Sequence, residues 1–213
     1  MPVDIGPYVD PACTAVIVSE CQEAVLGEAS PLRGLVAAAR EKQLELNIAA
    51  LLEAARTTGV PVIHCLVERR PDGFGEPLNT PLTAMMARQG GPGSGMASGT
   101  AGAQPVAALQ PAPSDIVLSR LHGITAFHET SLDHFLRNSG IRNIVFTGVS
   151  LNLAVFGGTI EAVNRGYRVV IPADCVAADP PEYGDALLRY SLRNMAWISD
   201  SAAIAGIWKN GAR

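Results

Sequence analysis

Short runs of apolar, β-branched residues punctuate this chain, and helical periodicity fills the intervals between them. Residues 14–19 (TAVIVS) and 60–67 (VPVIHCLV) are apolar without alternation, the pattern of strands covered on both faces of a parallel sheet. Between them Leu44, Ile48, Leu51, Leu52 and Ala55 recur at helical spacing and Gly59 follows as a C-terminal stop, which makes one βαβ unit. The pattern repeats: residues 115–119 (DIVLS), 143–147 (NIVFT) and 167–171 (YRVVI) read as strands, with one helix over about 131–138 and another after Ser150. Thr130 and Asp133 have capping-box spacing, Gly140 closes the first of these helices, and Asn152 and Gly166 bracket the second. A last helix from about 182 to 194 leads to residues 196–199 (AWIS), a sixth strand at a sheet edge, and a short closing segment spans about 204–208.

Alternation of this kind predicts an α/β fold of three layers, α/β/α, around a six-stranded, mostly parallel, doubly wound sheet. The 213 residues suit a single domain covering 1–213. One stretch resists the scheme. Residues 89–104 (QGGPGSGMASGTAGAQ) are too rich in Gly, Ser and Ala to form an element, and read as a long mobile loop, either a lid over a site or a passive connection.

Composition narrows the function classes. A hydrophobic fraction of 48% against 17% charged residues describes a chain that buries a large core. Sixteen Lys and Arg against 20 Asp and Glu give a net charge of -4 without a long run of either sign, which argues against a nucleic-acid partner. No stretch of about 18 apolar residues suits a membrane span, and the start, MPVDIGPYVDP, has no basic region before an apolar one, so the expectation is a soluble cytoplasmic protein. Cys13, Cys21, Cys65 and Cys175 lack metal-ligand spacing and read as buried thiols.

In an open parallel sheet ligands bind beyond the carboxyl ends of the strands. Three segments placed there resemble the isochorismatase-like hydrolase superfamily. Residues 15–22 (AVIVSECQ) resemble its first strand, an apolar run ending in an acid, one intervening residue and a glutamine; the acid is Glu20, where the family usually has aspartate. Residues 115–120 (DIVLSR) followed by 124–127 (ITAF) resemble the third strand, which delivers a basic residue, normally lysine. Counting from Asp115 gives that slot to Arg120, whereas counting back from Phe127 gives it to Leu121; Arg120 is preferred, with one extra residue after the strand. Residues 146–155 (FTGVSLNLAV) and 159–166 (TIEAVNRG) resemble the fourth strand and the turn into the next helix, where most members carry a nucleophilic cysteine; here the slot holds Ala154.

The resemblance implies a site in which an acid and a cation stand beside a helix N-terminus. In the usual chemistry the acid takes a thiol's proton and turn amides stabilise the oxyanion. Without sulfur at Ala154 the thioester route is closed. Ser150 is the nearest alternative nucleophile, and is equally a turn residue bonding its own backbone. Members named for isochorismate also lack the cysteine, which implies an acid that protonates a vinyl ether while water completes the cleavage. Glu20 reads either as that acid or as a structural carboxylate paired with Arg120. Burial would raise its pKa and Arg120 would lower it. Arg120 stays charged and presents a planar fork, suited to anchoring an anionic substrate or Glu20 itself, or it reaches solvent.

His122, on the loop after the third strand, is a candidate acid/base partner or substrate contact, and Gln22, Ser150 and Asn152 complete the candidate substrate-binding set. His64 lies inside an apolar strand as a satisfied core residue, while His128 and His134 bracket a helix start. No cluster suggests a metal, the Asp and His metal set of nicotinamidase-like relatives has no counterpart, and no cofactor is implied. Phe74, Phe127 and Phe156 line either the pocket mouth or the core. The resemblance further implies a cis peptide at Val149–Ser150 and a homo-oligomer, dimer or tetramer. Two functional readings follow: a hydrolase of a small, anionic metabolite with Glu20 as general acid/base, or a catalytically silent relative that binds a metabolite or serves as an interaction module.

Overall fold

The computed structural model describes residues 4–90 and 95–211. In chain order the elements are β1 (Thr14–Ser19), α1 (Glu23–Leu26), α2 (Arg33–Glu41), α3 (Leu44–Thr57), β2 (Val62–Val67), α4 (Pro81–Gly90), β3 (Ile116–Arg120) and α5 (Leu132–Asn138). They continue with β4 (Asn143–Gly148), α6 (Phe156–Asn164), β5 (Arg168–Pro172), α7 (Pro181–Ala186), β6 (Ala196–Ser199) and α8 (Ser201–Gly211). The strands form one sheet in the order β3-β2-β1-β4-β5-β6, and every neighbouring pair is parallel. Winding therefore reverses between β1 and β4. Ligand crevices open at such a point, outside the carboxyl ends of the two strands.

Burial explains which runs became which strands. β1 and β4 are buried at every position, as uninterrupted apolar runs should be when helices cover both faces. β3, at an edge, alternates instead and exposes Val117. On one face Leu35 of α2, Leu44, Ile48 and Leu51 of α3, and Ile204 and Trp208 of α8 pack on Val16 and Val18. On the other, Leu132 and Leu136 of α5, Ala162 of α6 and Leu187, Leu188 and Leu192 pack on Ile17 and Phe146. Gly158 lets α6 approach the sheet, since a Cβ there would lie 2.6 Å from the Phe146 ring.

Several local expectations are corrected. Thr130 and Asp133 do not close a capping box: Ser131 is the N-cap of α5, and Asp133 instead accepts from Arg137 Nε at 2.9 Å and Tyr167 OH at 2.9 Å. Asn152 does not start a helix, because the turn before α6 begins at Leu151 with Ser150 as its N-cap. The stretch 89–104 begins within α4, residues 91–94 lie outside the described residues, and from Gly95 onward the chain is packed rather than featureless. Met96, Ala97 and Ala103 are buried, Ala97 bridges to Arg69, and Ala101–Ala103 forms a 3-10 turn. Glycine and alanine content hid this because small residues carry little periodic signal. Among the described residues no helix is long and apolar enough to cross a membrane.

Candidate active site

β1 ends at Ser19, and Glu20 turns out of the strand with φ 53°, a left-handed conformation uncommon outside glycine. Two strands away Arg120 is the last residue of β3, and its Nη2 donates to Glu20 Oε1 at 2.5 Å. The same Nη2 reaches Ile124 O at 3.0 Å and Nε reaches Gly123 O at 3.4 Å, so the loop after β3 folds back over the guanidinium. Arg120 is buried against Glu20, whereas Leu121 is exposed. Both side chains are mostly removed from water, at 5% and 16% exposure. Burial pushes the Glu20 carboxyl above its ordinary 4.5, against the opposing pull of the Arg120 charge and hydrogen bond.

On the other side of the crossover, Gly148 closes β4 at φ 100°, where a Cβ would lie 2.2 Å from Ser19 O; only glycine lets the two strand ends meet. Val149 N then donates to Ser19 O at 2.9 Å, the Val149–Ser150 peptide is cis, and Leu151 N is held by Ala177 O at 2.7 Å. The segment Leu151–Val155 is a single wide π turn leading into α6. Ala154 is buried within it. The amides of Leu153 and Val155 are engaged by Ser150 O at 3.2 and 3.1 Å. Ser150 is half-buried and its hydroxyl does not cap the turn.

Gln22 turns inward from the strand end. It is fully buried, its Nε2 donates to Val67 O and Ala103 O at 2.9 Å each, and its Oε1 accepts from Val67 N at 2.9 Å. With both ends of the amide engaged, it staples β1, β2 and the 95–104 segment together. Sequence spacing placed it at the strand end but could not say which way the amide pointed. His122 is exposed on the loop beyond Arg120. His64 is a satisfied core histidine, 3.3 Å from Asp115 Oδ2. Phe127 belongs to the core and Phe156 packs against it, while Phe74 is 78% exposed and lies under Arg70.

Cys65 was read only as a buried thiol, yet it stands beside the site. It pairs in register with Ser19, and burial pushes its thiol up to about 12, with Arg120 pulling it down and Glu20 pushing it up. All four cysteines are buried and free. Three buried polar atoms on the site-forming segments have no hydrogen-bond partner among the described residues: Ser19 Oγ, Arg120 Nη1 and Asn152 Oδ1. Among those residues no group of three His, Cys, Asp or Glu could hold a metal ion.

Comparison with known proteins agrees with this geometry. The chain is 33% identical over 205 residues to the ureidoacrylate amidohydrolase RutB of Methylorubrum extorquens, covering 91% of this chain and 82% of that one. A cysteine hydrolase from Pseudomonas syringae pv. phaseolicola superposes with a TM-score of 0.80 at 22% identity, covering 97% and 96% of the two chains. N-carbamoylsarcosine amidase from Thermoplasma acidophilum superposes at 0.69 and 23% identity over 89% of this chain and 96% of that one. The isochorismatase domain matches residues 14–203, from the first residue of β1 into α8, and on that span the protein belongs to the isochorismatase family of hydrolases.

Proposed function

We propose that this hydrolase acts on a small ureido or carbamoyl metabolite without a cysteine nucleophile, with Glu20 as general acid/base. The observation that carries the reading is the buried Glu20–Arg120 pair at the winding reversal, across from a turn whose nucleophile slot is the methyl group of Ala154. Glu20 supports the acid/base part of this reading, and Ala154, with no sulfur, supports the non-covalent part. The names of two relatives, for ureidoacrylate and N-carbamoylsarcosine, suggest the substrate class.

In this reading the Glu20 carboxylate accepts a proton from water as the water oxygen attacks the carbonyl carbon. The oxyanion is met by the amide of Asn152 at the start of the turn, since those of Leu151, Leu153 and Val155 are engaged elsewhere. Glu20 then returns the proton to the leaving nitrogen as the C–N bond breaks. A pKa raised by burial suits both halves of that cycle, bringing the carboxyl nearer to neutrality. Because Glu20 already neutralises Arg120, a substrate carboxylate would be held by other donors, and exposed His122 is our candidate. We further infer a cytoplasmic homo-oligomer; Leu121, Ile124 and Leu153 leave apolar surface exposed on the site loops, which supports a covering subunit.

The test is to incubate wild type and Glu20→Gln with a panel of amides, ureido acids and vinyl ethers including isochorismate, following products by mass spectrometry. Turnover that falls by about 100-fold or more in Glu20→Gln supports the assignment. Equal turnover by both proteins removes Glu20 from the mechanism, and silence from a folded wild type favours the metabolite-binding or interaction reading.

A further inference from the structure

A serine ends the buried strand β1. Ser19 is fully buried in a run whose other members from Ala15 to Val18 are all aliphatic, and its Oγ has no partner among the described residues. Leaving a buried hydroxyl unpaired forfeits its hydration without replacement, so such a group in a native core calls for an explanation. Strand alternation puts the Ser19 side chain on the face that carries Ile17, and its register partner on β2 is Cys65, on that same face. Arg120 ends β3, two strands from β1, and its Nη1 is the second unpartnered buried polar atom there. Glu20, bonded to the other terminal nitrogen of that guanidinium, is the next residue after Ser19. The Cys65 thiol, which responds to both charges of the Arg120–Glu20 pair, ties these side chains into one electrostatic neighbourhood.

Charge decides what kind of guest this neighbourhood takes. Arg120 is compensated by Glu20, so a second carboxylate buried beside it would leave one uncompensated negative charge in a low-dielectric place. A neutral molecule that accepts from a guanidinium N–H and exchanges a hydrogen bond with a hydroxyl meets no such penalty, and water does both. Cys65 itself is a poor nucleophile, because its thiol is held protonated well above neutral pH.

We propose that Ser19 Oγ and Arg120 Nη1 seat the hydrolytic water beside Glu20, making Ser19 a positioning residue for the reaction. The inference rests on the sulfur-free reading above and adds to it where the nucleophile is held. Water donates one proton to Glu20 and its oxygen forms the new C–O bond; Ser19 exchanges no proton with the substrate and only orients the attacking oxygen.

Two measurements on Ser19→Ala and Ser19→Thr test it. A crystal structure of the wild type at about 1.5 Å resolution should show an ordered water bonded to Ser19 Oγ and Arg120 Nη1. With whichever ureido acid the wild type turns over, Ser19→Ala should lower kcat by about tenfold or more at nearly constant KM. Ser19→Ala should stay folded, checked by its melting temperature, and Ser19→Thr should restore much of kcat. Absence of that water, or Ser19→Ala with wild-type kcat while Glu20→Gln is inactive, overturns the water seat and leaves the Glu20 reading standing. Unchanged turnover in Glu20→Gln overturns the Glu20 reading instead, and with it the role given to this water.

Discussion

Two buried carboxylate–arginine pairs stand at opposite ends of β3, each with an N···O separation of 2.5 Å, and they differ in how completely they are satisfied. At the amino end Asp115 accepts from Arg56 Nη2 at 2.5 Å, Arg56 Nε at 3.3 Å and Ala112 N at 2.9 Å, with His64 Nε2 at 3.3 Å. Burial pushes its carboxyl up, but the Arg56 hydrogen bond, the Ala112 amide and the neighbouring charges outweigh it and hold the group below its ordinary 3.8. At the carboxyl end, among the described residues, Glu20 has Arg120 as its one charged partner, burial wins, and a guanidinium nitrogen is left without a hydrogen bond. A saturated pair fixes structure; an unsaturated one keeps capacity for a ligand and for a proton. A carboxylate and an arginine thus form a clamp at one end of the strand and, in the function proposed above, an acid/base pair at the other.

The contrast is broken most sharply by substitution. Glu20→Gln should cost about 10²- to 10⁴-fold in turnover, the usual size of a general acid/base contribution, whereas Asp115→Ala should leave kcat unchanged. Asp115→Ala should instead lower stability by about 3 kcal/mol, at the lower end for a broken buried pair because Arg56 is 25% exposed and relaxes toward water. Chemical denaturation of both variants, read beside their kinetics, checks this crossing of effects. If Asp115→Ala lost activity while folded, the separation into clamp and site would fail.

A smaller effect separates the pairs by pH. Asp115, with a depressed pKa, contributes stability that is present above its unfolded value near 3.8 and is lost as pH falls through the lower folded value. Glu20, with a raised pKa, does the reverse: its contribution is full below 4.5 and is lost as pH rises through the higher folded value. The stability deficit of Asp115→Asn should therefore shrink below about pH 4, while Glu20→Gln should gain on the wild type as pH rises from 4.5 toward neutrality. The acid limb of kcat/KM should lie above 4.5 and should vanish with Glu20.

The strands were legible because their runs are buried on both faces, so that hydrophobicity alone marks residues 14–19 and 143–147. α1, α2 and α4 were not expected: α1 is only four residues long, and half of the buried face of α2 is alanine, beside Leu35 and Val36. In the site, Glu20 and Arg120 followed from strand ends, because position along a parallel strand decides which end a residue reaches. Side-chain direction did not follow. Gln22 turned inward to staple the backbone, and Ser19 was read as strand because nothing in a sequence distinguishes a bonded hydroxyl from an orphaned one.

The proposed hydrolysis without a covalent enzyme intermediate is open to test by intact-protein mass spectrometry during turnover of a ureido acid, with Ala154→Cys as comparison. The wild type should keep its unmodified mass while product accumulates, and Ala154→Cys should gain the mass of an acyl group or be trapped by iodoacetamide. An acyl adduct on the wild type, mapped to Cys65 or to Ser150, would contradict the account.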